Sequence, residues 1–136
     1  MFLKTVLLVE ELDSRRIAIK WLLAIYGYIV ETVSNAEEAL AVFDPAIHDI
    51  VVTDQIMSGM TGTELAHIIK LRSPRTPVVL HSKTPPDNSS SIDSVLVKSD
   101  DVLVEEHVMA LKVTLDRLSF APAIHKRQPR AQKTAS

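Results

Sequence analysis

Residues 49–65 read DIVVTDQIMSGMTGTEL, and this stretch decides the fold. Asp49–Thr53 is a short run of mostly β-branched apolar residues that leads straight into Asp54. A strand covered on both faces in a parallel sheet has this continuous apolar character, without the alternation of a half-solvated strand. The loop QIMSGMTG follows. A helix is then predicted over Thr63–Leu71, with Leu65, Ile68 and Ile69 as its apolar stripe. Strand, carboxylate, glycine-bearing loop and helix together make one βα unit.

The same unit recurs on both sides. Upstream, Lys4–Val9 is a nearly unbroken apolar run that ends in Glu10 and Glu11. Ser14 is placed to cap a helix through Tyr26, with Ile17, Trp21, Leu22 and Ile25 at helical spacing, and Gly27 stops it. Tyr28–Val33 reads as a further strand. Ser34 with Glu37 forms a predicted capping box for a helix that runs to Phe43, before Pro45. Downstream, Pro77–His81 is a fourth strand and Ser94–Val97 a fifth. The residues between Ser82 and Ser94 hold two prolines and three serines, room for one or two helical turns at most. A last helix is predicted from Asp101 to Leu118, lined by Val104, Val108, Leu111, Leu115 and Leu118. Strands and helices alternating over about 120 residues imply a single doubly wound α/β domain with a five-stranded parallel sheet. The predicted domain spans residues 1–120, and residues 121–136 are expected to be a disordered basic tail.

Composition agrees with one core. The chain has 136 residues, of which 46% are apolar and 24% charged. It has no cysteine, which excludes disulfides and thiolate chemistry. The opening MFLKTVLLVEELD turns acidic too soon for a secretory signal, and no apolar run approaches the ~18 residues of a membrane span. A cytoplasmic protein without membrane contact is therefore expected. Lys126, Arg127, Arg130 and Lys133 give the tail +4, so residues 1–120 carry −6 of the net −2. An acidic body of this kind argues against nucleic-acid binding.

In such sheets ligands sit beyond the carboxyl ends of the strands, where strand order reverses. Here those ends carry Glu10 and Glu11, Asp54, His81 and Ser82, and Lys98. If the first and third strands are neighbours, two or three carboxylates converge with a hydroxyl and an ammonium nearby, and carboxylates in one crevice repel. A hard divalent cation relieves that repulsion, and oxygen ligands without His or Cys favour Mg²⁺ over Zn²⁺. Lys98 and the Ser82 hydroxyl are placed to hold phosphoryl oxygens, which makes Asp54 a candidate nucleophile forming an acyl phosphate.

With these residues in place the chain resembles the response-regulator receiver family of two-component systems. VLLVEELDSRR resembles its first-strand signature, VVTDQIMSGMTGTEL its phospho-acceptor segment, and PVVLHS and VLVKS its hydroxyl and lysine positions. The likeness covers residues 3–119. It implies a flavodoxin-like sheet in the order 2-1-3-4-5, with the family's fourth helix shortened or missing here. It further implies Asp54, Ser82 and Lys98 as the catalytic group. Mg²⁺ or Mn²⁺ would be held by Glu10, Glu11, Asp54 and the Ile56 backbone carbonyl. The implied phosphodonor is a histidine kinase or a phosphotransfer protein. With no DNA-binding or enzymatic segment in view, output is expected by protein contact, a homodimer included.

The departures from the family pattern are specific. Glu11 replaces the usual Asp, Ser58 the usual proline, Lys83 a small residue, Val95 the aromatic switch residue, and Ser99 a proline joined by a cis bond. They support an alternative, a degenerate receiver that serves as a phosphorylation-independent interaction module. A hydrolase on the same sheet finds no support: Ile56 stands where an acid/base Asp would be needed, and there is no Gly-x-Ser-x-Gly elbow. Trp21 and Tyr28 read as core or boundary aromatics. His48, His67, His107 and His125 have no metal-ligand spacing and read as surface or structural, and His81 as packed. Lys70, Arg72 and Arg75 read as a solvated helix end.

Overall fold

The apolar runs pair into one sheet because each can be buried only by neighbours on both faces. A computed structural model of the chain describes residues 4–84, 86, 90–99 and 104–118. The strands are β1 (Thr5–Val9), β2 (Ile29–Val33), β3 (Ile50–Thr53), β4 (Val78–Ser82) and β5 (Ser94–Val97), all parallel in the order β2-β1-β3-β4-β5. The helices are α1 (Asp13–Ile25), α2 (Ala36–Val42), α3 (Gly62–Arg72) and α4 (residues 104–118). This is the predicted doubly wound, flavodoxin-like topology.

Successive side chains of a strand point to opposite faces, so the central strands feed two cores. Val6 and Leu8, Ile50 and Val52, and Val79 pack with Ile19 and Leu23 of α1 and Val108, Leu111 and Leu115 of α4. Leu7 and Val9, Val51 and Val78 pack with Ala36 and Ala39 of α2 and Leu65, Ala66 and Ile69 of α3. Each fully buried Leu or Ile contributes about 1.5–3 kcal/mol relative to exposure. These two layers account for the order of β1, β3 and β4.

Three local expectations are corrected. The stripe expected to bury α1 points outward: Ile17, Trp21 and Ile25 are exposed, while Ile19 and Leu23 are buried and Leu22 is partly so. Residues two apart on a helix lie about 200° round from one another, and both stripes are apolar at a spacing of four, so periodicity cannot choose between them. Nor does Ser14 cap α1. Leu12 takes the cap position with no side-chain cap, and its N–H donates to Glu10 Oε2 at 3.1 Å. For α2 the cap is Asn35, whose side chain accepts from the Glu38 N–H at 2.8 Å. Ser34 instead donates its hydroxyl and its N–H to Glu38 Oε1, one residue out of the expected register. Asn caps as well as Ser, and this register turns Ala36 and Ala39 to the sheet.

At the end of α3, Arg72 and Arg75 are exposed as expected, and Lys70 is the half-buried exception. Lys70 Nζ donates to the Thr76 carbonyl at 2.8 Å and pairs with Asp93 at 2.6 Å, while Arg72 donates to the Leu40 carbonyl. Asp93 also accepts the Val78 N–H at 2.7 Å and donates its own N–H to the Val78 carbonyl, which seats the start of β5 beside β4. None of residues 83, 84, 86 and 90–93 is helical, in keeping with the expected loss of the helix between these strands. The predicted helix start at Asp101 and the basic tail 121–136 lie outside the described residues.

Candidate functional site

The register of the sheet brings the strand ends to one edge. Val9 lies beside Thr53 and Thr53 beside Leu80, while Ser82 lies beside Val97. Glu10, Asp54, Ser82 and Lys98 therefore meet just past the ends of β1, β3, β4 and β5.

Lys98 is the centre of the group. Its side chain is buried, and its Nζ donates to Glu10 Oε1 at 3.0 Å and to Asp54 Oδ2 at 2.8 Å. Glu10 is buried too and has Arg15 Nη1 3.9 Å away. The other Asp54 oxygen, Oδ1, accepts the Gln55 N–H at 2.7 Å, and the Ser82 hydroxyl also bonds the carboxylate. Burial pushes the Asp54 carboxyl up, but Lys98, Ser82 and the Gln55 N–H outweigh it and hold the group below its ordinary value. Asp54 is thus ionised at neutral pH and points into a ring of donors.

Glu11 reaches the loop past Asp54, near enough for the Asp54 charge to act on its carboxyl. It is exposed, and its Oε2 accepts the Ser58 N–H at 3.0 Å. The Ser58 backbone N–H and then its hydroxyl hold the Glu11 carboxyl below its usual range. Among the described residues no three His, Cys, Asp or Glu side chains are gathered as a metal ion requires. Of the two or three carboxylates expected to converge, Glu10 and Asp54 meet, with the Lys98 ammonium between them. Ile56, two residues past Asp54, has an exposed side chain in the same loop.

The loop from Asp54 to α3 is fixed by residues that the sequence did not single out. Gln55 is buried; its carbonyl accepts the Gly62 N–H, and its side-chain oxygen accepts the N–H and hydroxyl of Thr63 at 2.9 and 2.8 Å. Thr61 and Glu64 form a reciprocal capping box at the start of α3. That Thr-x-x-Glu spacing was present in the sequence and could have been found. Gly62 presses against the Asp54 backbone so closely that an added Cβ would collide with the Asp54 carbonyl oxygen. This close approach leaves room only for glycine at position 62.

On the other side, His81 is buried as expected and meets the His107 ring edge-on. Burial first, then the Lys98 charge and His107, push its pKa down to about 3. His107 Nε2 accepts the Ser99 N–H at 3.2 Å, and the described residues contain no cis peptide bond. Ser99 thus supplies a donor that a proline there would lack. Lys83 is exposed beside Ser82, and Val95 is exposed on β5. His48 has a structural role: it is buried, stacks on Phe43, and sits 2.7 Å from Glu31.

No helix among the described residues is long and apolar enough to cross a membrane. The family model described as "Response regulator receiver domain" matches residues 6–106. The chain is similar to the sensory transduction protein RegX3 of Mycobacterium tuberculosis, with 34% identity over 92 residues, 68% of this chain and 38% of RegX3. It therefore spans well under half the length of that relative. Among solved structures it is similar to the response regulator TrrA of Thermotoga maritima in complex with Mg²⁺–BeF (TM-score 0.75, 29% identity, 85% of this chain and 99% of that one). It is also similar to TrrA in complex with the histidine kinase ThkA (TM-score 0.71, 28% identity, 85% and 98% covered). The strand order, the ring of donors around Asp54 and a family match across most of the chain agree, and the chain belongs to the response-regulator receiver domain family.

Proposed function

We propose that the chain is a phospho-accepting switch in which Asp54 takes a phosphoryl group from a histidine kinase or a phosphotransfer protein. One observation carries this reading: the ionised Asp54 carboxylate meets the Lys98 ammonium and the Ser82 hydroxyl at once. In the transfer, a carboxylate oxygen attacks the phosphorus of a phosphohistidine. The O–P bond forms, the N–P bond breaks, and the imidazole nitrogen leaves with the bonding pair. Lys98 and Ser82 then hold the phosphoryl oxygens, with charge-assisted bonds that are shorter and stronger than neutral ones. Burial of Lys98 keeps that charge in place as the reaction proceeds.

The donor chemistry fits a hard cation, Mg²⁺ or Mn²⁺. Glu10 and Asp54 already flank one positive charge, and every nearby acidic ligand is a carboxylate oxygen. Glu10, Asp54, the Ile56 carbonyl and Glu11, once released from Ser58, are the residues that would hold it. The cation would supply neutralisation of charge on the phosphoryl group.

In this reading residues 1–120 form the receiver and residues 121–136 a basic tail. The protein acts in the cytoplasm and signals by contact with proteins, a second copy included, and neither nucleic acid nor membrane is a partner. A second reading, a receiver that serves as an interaction module without phosphate, is favoured by the commitment of Glu11 to Ser58.

The test is incubation with a small-molecule phosphodonor and Mg²⁺, followed by intact mass, beside Asp54→Asn. The switch predicts a gain of one phosphoryl group that needs the metal and Asp54. No gain in folded protein, with either the small donor or a phosphorylated histidine phosphotransfer protein, would leave the interaction module.

A further inference from the structure

Glu11 and Ser58 are 47 positions apart, and both depart from the family pattern. The two departures meet in one contact. The Ser58 N–H donates to Glu11 Oε2 at 3.0 Å, and the Ser58 hydroxyl bonds the same carboxylate. A proline at 58 has no N–H to give, and an Asp at 11 is one methylene shorter. The contact therefore needs both substitutions together.

Its position gives it a consequence. Glu11 follows Glu10 directly at the end of β1, and Ser58 lies four residues past Asp54 in the loop that leads to α3. The far end of that loop is already fixed by Gln55, the Thr61 cap and the close approach of Gly62. Glu11–Ser58 ties its middle to the β1–α1 connection, across the mouth of the site.

We infer that Glu11 and Ser58 form a latch that competes with cation binding. With the latch closed, the Glu11 carboxylate is spent on Ser58. When a divalent cation recruits Glu11, the latch opens and frees the 55–61 loop. The chain thereby couples cation occupancy to the position of the loop that follows Asp54, and binds the cation more weakly than a receiver without the latch. This inference rests on the cation reading given above.

The test is Mn²⁺ binding to the full chain, measured by electron paramagnetic resonance of the free ion. Wild type is compared with Ser58→Pro, Ser58→Ala, Glu11→Asp and the Glu11→Asp/Ser58→Pro double variant. Alongside, the Ser58 amide signal of wild type is followed in a ¹⁵N correlation spectrum during Mg²⁺ titration. Loss of one exposed, charge-assisted hydrogen bond predicts about a three- to fivefold tighter Kd for Ser58→Pro, with a smaller gain for Ser58→Ala. Position 58 contributes no ligand, so this gain measures release of Glu11. In the Glu11→Asp background the gain from Ser58→Pro vanishes, since the latch is already broken. The Ser58 amide signal shifts as wild type loads. If Ser58→Pro fails to fold, Ser58→Ala and the amide titration carry the same prediction. Equal Kd values with a stationary Ser58 amide would overturn the latch and leave the cation site standing. Absence of binding in wild type and every variant would overturn the cation reading, and the latch with it.

Discussion

The ring of His107, on α4, stands edge-on to the buried ring of His81, at the end of β4, with centroids 5.7 Å apart and planes at 76°. His81 has a pKa near 3 in the fold, so it stays neutral there while an unfolded chain protonates it near its ordinary 6.5. Below that value the unfolded state binds more protons, and stability falls with pH. The contribution from His81 is thus complete above pH 6.5 and is lost as pH drops toward 3. Between pH 6.5 and 5 wild type should lose stability with a limiting slope of ~1.4 kcal/mol per pH unit. Urea midpoints for wild type and His81→Leu over this window check it; parallel curves would refute it.

Lys98→Met leaves Glu10 buried with its main partner gone. Breaking a buried pair from one side costs about 3–5 kcal/mol. The variant should therefore lower the urea midpoint strongly. Glu10→Gln/Lys98→Met should recover part of the loss, because the Glu10 carboxylate, the more deeply buried of the two that Lys98 holds, is then gone.

Gly62→Ala drives a methyl group into the Asp54 carbonyl oxygen, a rigid backbone atom that cannot swing aside. The start of α3 and the 55–61 loop must move apart, at a cost of at least about 1–3 kcal/mol. Thermal denaturation should show the loss. Phosphorylation of Asp54 should fall more than stability does, as the loop that aims the carboxylate is displaced.

Thr61→Ala removes the side chain that accepts the Glu64 N–H at 3.2 Å and leaves the rest of the α3 cap in place. A loss of ~1 kcal/mol is expected, while Thr61→Ser should be close to wild type in chemical denaturation.

Phosphorylation should draw Lys98 and Ser82 onto the phosphoryl group and disturb the Ser99–His107 bond, with no aromatic rotation at position 95. In amide spectra, Ser82, Lys98, Ser99 and His107 should shift on adding a phosphoryl mimic. Matching spectra with and without the mimic would refute it.

The strands were legible because β1, β3 and β4 are buried on both faces and so carry unbroken apolar runs. Even β5, with no helix before it among the described residues, was bounded correctly by Asp93 and Lys98. The meeting of Glu10, Asp54, Ser82 and Lys98 was legible because each stands at the end of a strand. What the sequence concealed depends on side chains crossing between loops. The outward turn of Trp21 follows from α1 having apolar residues on two sides, with Arg16 donating to the Glu10 carbonyl at its entry. The role of Gln55 needs Thr63 folded back onto it. The reach of Glu11 to Ser58 depends on how the 55–61 loop lies, and nothing in either segment alone signals it.

Asp93 has a consequence of its own. By gripping both backbone groups of Val78 and the Lys70 ammonium, it sets the alignment of β5 locally, whatever the connection before it does. Ser82 and Lys98 stand at the opposite ends of β4 and β5, so the pair is aimed at Asp54 from an anchor that lies a full strand length away from the chemistry.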